Sequence, residues 1–136
     1  MIRYCIVLLF LLSVGITSYA QELNTRTLKS IQPKEPYANV AVIPVYSDTN
    51  ASAFVIFIKN QVAKHYHATH TETVIILEGK AEMFLGGNFL TVKTGDQMII
   101  PPGTHHAVIV RSKKPLKVLS IQSPYFDNTD RILVEE

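Results

Sequence analysis

Apolar residues along the chain form one long run near the N-terminus, followed by a series of short ones. Cys5 to Leu12 (CIVLLFLL) is unbroken, whereas Gln21 to Pro36 is polar, holds two prolines and lacks periodicity, as an arm or linker does. From Asn39 onward, short runs rich in Val, Ile, Phe and Thr are separated by turn residues. The predicted strands are Val40–Tyr46, Ala53–Lys59, Thr73–Glu78, Lys80–Leu85, Phe89–Val92, Gln97–Ile100, His106–Arg111 and Leu116–Gln122. Turn signals such as Glu78-Gly79, Gly86-Gly87-Asn88, Thr94-Gly95-Asp96 and Pro101-Pro102-Gly103 punctuate them. After the first run, no segment of helix length has a clear 3.6 period. Many short, closely spaced strands predict an all-β antiparallel sandwich or barrel over residues 39–136, preceded by an arm over 21–38.

Within single strands the alternation assigns faces. In Lys80–Leu85, Ala81, Met83 and Leu85 share the inward parity, and Phe84 falls on the face of Lys80 and Glu82. Ala53–Lys59 is apolar on both parities: Phe54, Ile56 and Ile58 alternate with Val55 and Phe57. Such a strand is either central and covered on both sides or part of a subunit contact. The surplus of apolar side chains leads us to expect a homodimer, with the arm reaching toward an exposed sheet edge. The alternative is that a loop or the segment Pro124–Glu136 folds back over the patch.

The first twenty residues fit a secretory signal. Arg3 supplies a positive charge, the apolar run is too short for the roughly 20 residues of a membrane span, and Ser18-Tyr19-Ala20 suits a signal peptidase. Cleavage after Ala20 is expected, giving a periplasmic or secreted protein without stable membrane insertion. Cys5 is the only cysteine, so the mature chain has neither disulfide nor thiolate chemistry. The remaining composition is that of one ordinary domain, with 47% hydrophobic residues and a net charge of +2. No basic run stands out, which excludes a mainly electrostatic nucleic-acid binder.

The histidines are the chemical signal. All five lie in two clusters, His65/His67/His70 and His105/His106. On a strand, His65 and His67 leave the same face and Tyr66 the other. Glu72 shares parity with Val74 and Ile76, and a carboxylate entering an apolar interior is costly unless paired or metal-bound. His106 opens a later strand on the parity of Val108 and Val110. Three imidazoles and one carboxylate suit a divalent transition ion (Fe, Mn, Zn, Ni, Co or Cu), with positions left for water or substrate. His70 has the parity of Glu72 and is a candidate at the pocket mouth, alongside Glu72 as a catalytic group. His105 is expected to face outward.

Two motifs, His65-x-His67-x4-Glu72-x6-Gly79 and Gly95-x5-Pro101-x-Gly103-x2-His106, resemble in order and spacing those of the cupin superfamily. The resemblance covers about Phe54 to Gln122. It implies a small jelly-roll barrel holding a metal through His65, His67, Glu72 and His106. Lys59 stands where the family pattern has a glycine before the first histidine, and Val110 where some members have an asparagine.

The expected pocket walls are Val74, Ile76, Ala81, Met83, Val108 and Val110, with Met98 or Ile100 nearby. They carry no Lys or Arg, which counts against a sugar phosphate and favours a small organic molecule that binds the metal through a carbonyl, enol or carboxylate. A bound ion acts there as a Lewis acid, or as an oxygen-activating centre if it is iron, with Glu72 as a base. The site is consistent with a metal-dependent dioxygenase, isomerase, lyase or decarboxylase, with a non-catalytic protein holding a small ligand or the ion itself, and with a barrel whose metal is structural.

Overall fold

The computed structural model describes residues 27–135. The signal segment with Cys5, and the start of the arm, lie outside the described residues. Ten antiparallel strands follow a single 3-10 turn at Leu28–Ser30: β1 (Val40–Ser47), β2 (Ser52–Ile58), β3 (Gln61–Tyr66), β4 (Thr71–Glu78), β5 (Lys80–Leu85), β6 (Asn88–Lys93), β7 (Gln97–Ile100), β8 (His106–Val110), β9 (Leu116–Ser123) and β10 (Ile132–Leu133). They form two five-stranded sheets, ordered β1-β2-β9-β4-β7 and β10-β3-β8-β5-β6. This is the expected jelly-roll arrangement, and all eight predicted strands are present within two residues at their ends.

One core lies between the sheets. Ile58, Val74, Ile76, Met98, Ile100, Leu116 and Val118 from the first sheet meet Ala81, Met83 and Val92 from the second. The inward parity of β5 is the one read from its alternation. Gly79 makes the tight β4–β5 turn at φ +100, where an added Cβ would meet Ser112 Oγ at 2.9 Å, so no other residue suits the position.

Strand β2 shows where its second apolar face goes. Phe54, Ile56 and Ile58 line the interior, while Val55 and Phe57 point outward and are nevertheless buried. Around Phe57 the cover is the chain's own arm. The Lys117 ammonium, 1% exposed, donates to the Lys29 carbonyl at 3.0 Å and lies 5.2 Å from the Phe57 ring. Lys59 sits over the Tyr37 ring and donates to its carbonyl. At Phe57 the surface expected to be free is covered, among the described residues, by the arm between Lys29 and Tyr37.

Candidate metal centre

Two strands and one loop bring the motif histidines together. β3 pairs with β8 so that His65 and His106 are direct cross-strand partners. His67 follows the end of β3, and its carbonyl accepts the Gly103 N–H at 2.6 Å, which ties the first motif to the Pro101–Gly103 turn of the second. The donor nitrogens of His65, His67 and His106 lie within 4.8 Å of one another, and all three residues are buried. On β4, Glu72 enters the same cavity beside Val74 and Ile76. Its Oε2 is 3.2 Å from His106 Nε2 and 3.6 Å from His67 Nε2.

Hydrogen bonds on the far side of each ring fix the tautomers. His65 Nδ1–H donates to the Ala63 carbonyl at 2.9 Å, His106 Nδ1–H to the Thr104 carbonyl at 2.9 Å, and His67 Nδ1–H to the Asp130 carbonyl. A carbonyl only accepts, so each Nδ1 carries a proton and each Nε2 of a neutral ring presents its lone pair to the cavity. The Nε2 atoms of His67 and His106 are buried without a hydrogen-bond partner. Lone pairs facing an ionised carboxylate repel unless a proton or a cation lies between them. The donor set therefore fits a divalent transition ion held by three Nε2 atoms, with the carboxylate of Glu72 alongside.

The charges agree with this. Burial pushes the Glu72 carboxyl upward, but His106 and His67, when a proton sits on the Nε2 facing it, and the Ser120 hydroxyl, which donates to Oε1, outweigh it and hold the group ionised well below the usual carboxylate range. His65 is pulled down to about 4, chiefly by burial, with His106 and Arg131 adding to the effect, so it is neutral and ready to ligate at neutral pH. Burial also lowers His67, yet Glu72 and the Asp130 carbonyl raise it on balance. A proton is thus favoured where an ion would displace it.

The remaining expected residues divide. Val74, Ile76, Met83, Met98 and Val108 line a cavity of about 380 Å³, while Ala81, Ile100 and Val110 pack around the core without reaching its wall. His105 is exposed and lies against Tyr66, as expected for the outward parity. His70 requires a correction. It does not turn to the pocket mouth: Nδ1 meets the Asp130 carboxylate at 2.5 Å and Nε2 donates to the Tyr125 carbonyl at 2.8 Å. Both partners accept, so both ring nitrogens carry protons. Burial opposes this, but Asp130 and the Tyr125 carbonyl raise the His70 pKa. An imidazolium so committed has no lone pair for a metal or for base catalysis.

Several site residues escaped strand reading. Ser120 and Gln122 hold inward positions on β9, and the signal was present: they share the parity of Leu116 and Val118. Phe126, Asn128 and Arg131 reach the cavity from the segment after β9, which no periodicity identifies. The expectation of walls without a cation is corrected by Arg131.

A cupin-domain family model matches residues 53–122. An uncharacterised protein of Aquifex aeolicus is 39% identical over 97 residues, spanning 71% of this chain and 78% of that one. Among solved structures, an uncharacterised Klebsiella pneumoniae protein with a double-stranded β-helix domain superposes with a TM-score of 0.70 at 22% identity, over 85% of this chain and all of that one. Pac13 of Streptomyces, a nucleoside dehydratase, superposes with a TM-score of 0.63 at 13% identity, over 74% of this chain and 84% of its own. Those two likenesses are of fold alone. The motif spacing, the two facing sheets and the family match agree, and the chain belongs to the cupin family.

Proposed function

We propose that this protein is a metal-dependent enzyme acting on a small organic molecule, with chemistry of the isomerase, lyase, decarboxylase or dioxygenase kind. The observation that carries the reading is the pair of buried, unpartnered imidazole nitrogens facing an ionised Glu72 inside an apolar cavity. A divalent transition ion held there supplies Lewis acidity toward a carbonyl, enol or carboxylate. His65, His67 and His106 hold it through Nε2, each ring oriented by the backbone carbonyl behind it. Glu72 supports the cluster as a fourth ligand or takes a proton from the substrate, and Ser120 fixes the orientation of its carboxylate. The aliphatic walls exclude water from the reacting face. Pac13 shows that this fold accommodates an enzyme.

The test is to load the purified chain separately with Fe²⁺, Mn²⁺, Co²⁺, Ni²⁺, Cu²⁺ and Zn²⁺ and measure retained metal. Turnover of 2-oxo acids and enolisable carbonyl compounds is then followed by NMR, with His106→Ala as control. About one ion per chain and turnover lost in the variant support the reading. Failure to retain any ion, or turnover equal in the variant, overturns it. A loaded chain that binds such compounds without turning them over belongs instead to the binding-protein alternative.

A further inference from the structure

The cavity has two unlike ends. Its depth is aliphatic, walled by Ile58, Ile76, Met83 and Val92, and its polar end carries the histidine cluster, Gln122 and Arg131. Among the described residues, Arg131 is the one cation on the cavity wall, and no carboxylate pairs with it. Its neighbour in sequence cannot neutralise it. The Asp130 carboxylate is already bonded by the backbone N–H groups of Ala68, Thr69 and His70, the Thr69 hydroxyl and the His70 ring.

Those same bonds hold Arg131 in place. Asp130 clamps the backbone on one side, and on the other Ile132 and Leu133 pair with Tyr66 and His65 in β10–β3. The stem of Arg131 thus leaves a backbone fixed at both flanks, while the exposed side chain itself is ordered only when a ligand arrives. A second observation marks the same end as a ligand site: Gln122 is 4% exposed, lies opposite Glu72 in the β4–β9 register, and its Oε1 has no partner. A buried acceptor without a donor is costly unless a ligand supplies one; an ionised carboxylate cannot, so Gln122 calls for a hydroxyl or N–H on the ligand besides any anionic group.

With a divalent ion and Arg131 against the single charge of Glu72, the loaded cavity is cationic; Arg131 is itself exposed, so it meets an anion at the solvent-facing mouth rather than in the aliphatic depth. One guanidinium fork matches one carboxylate in a bidentate pair. We propose that the ligand is an organic acid whose carboxylate pairs with Arg131 while a separate oxygen donor meets the metal and an apolar body fills the barrel. This rests on the metal-centre reading above and narrows its substrate class.

The test uses Co²⁺-loaded full-length mature protein and monohydroxamates of C4, C6 and C8 dicarboxylic acids, each compared with its methyl ester. The hydroxamate occupies the metal in both, and only the acid offers Arg131 an anion. For at least one chain length the acid should bind about tenfold or more tightly than the ester by calorimetry. Arg131→Gln should cut that preference to about twofold with ester affinity and Co²⁺ content unchanged, and Arg131→Lys should restore part of it. Equal binding of acid and ester at every length, or a preference surviving in Arg131→Gln, overturns the proposal while leaving the metal reading intact. If neither acid nor ester perturbs the Co²⁺ spectrum, the metal reading itself fails and the proposal falls with it.

Discussion

His65 and His106 are cross-strand partners in the β3–β8 pair, and their imidazole centroids lie 4.1 Å apart. Backbone register, with a carbonyl behind each ring, brings them together. The cluster is therefore built by the sheet, and an ion bound there adds stability only by mass action.

His67→Ala and His106→Ala should each reduce retained metal at least about tenfold while the barrel stays folded. Metal analysis alongside circular dichroism and thermal melting checks both halves. Unfolding of the wild type on treatment with a chelator would show instead that the ion holds the barrel together.

Ser120 donates to Glu72 Oε1 from the neighbouring strand, in a register that places it opposite Val74. Ser120→Ala leaves that oxygen without its donor and the carboxylate free to rotate. Metal affinity should fall about tenfold, as is usual for loss of a group that orients a ligand, with little change in fold. Titration of the apo protein with Zn²⁺ against a competing chelator reads this directly, and unchanged affinity would mean that Glu72 stands outside the coordination sphere.

The sheets were legible wherever alternation was regular. β5 and β7 lie where their patterns put them, and Glu72, Val74 and Ile76 line the cavity as their shared parity implies. β3 was not legible as a strand. Its pairing with β8 shifts between Val62 and His65, so Val62 and His65, three residues apart, both face the cavity and a strict period of two fails. The segment after β9 was hidden for another reason. It is held by the Asp130 side chain and by one short strand rather than by a repeated apolar pattern, and side-chain capture leaves no periodic trace.

Asp130 ties that segment to the turn before β4. Asp130→Asn keeps the shape and part of the hydrogen bonding but removes the charge that His70 pairs with, and should lower the melting temperature by about 5–10 °C near pH 6. The pH dependence has a definite sign. The folded His70 pKa is raised above 6.5, so its contribution is full below 6.5 and is lost as pH rises through the folded value. Burial pushes Asp130 up, but His70 and the Thr69 and Ala68 N–H groups lower it below 3.8, so its contribution is present above 3.8 and is lost as pH falls. Wild-type stability relative to Asp130→Asn should therefore peak between about pH 4 and 6.5 and decline on both sides. Parallel denaturant titrations across that range measure it, and a constant difference would show that the pair contributes no charge-dependent stability.

Two phenylalanines on outward-facing positions separate a covered surface from a free one. Phe57 on β2 is 6% exposed beneath the arm, whereas Phe89 on β6 is 69% exposed on an edge strand. Phe57 belongs to the apolar surplus read on its strand, whereas the alternation does not single out Phe89, and their burial differs sharply. Phe57→Ala empties a packed site and removes the ring beside the Lys117 ammonium, and should cost about 3–5 kcal/mol. Phe89→Ala touches mainly solvent and the Phe84 ring, and should change stability by less than about 1 kcal/mol. Urea unfolding of both variants at low and high protein concentration makes the comparison complete. If the arm covers Phe57, its large cost is independent of concentration, because the contact is within one chain. A cost for either variant that varies with protein concentration would place that ring in a contact between chains.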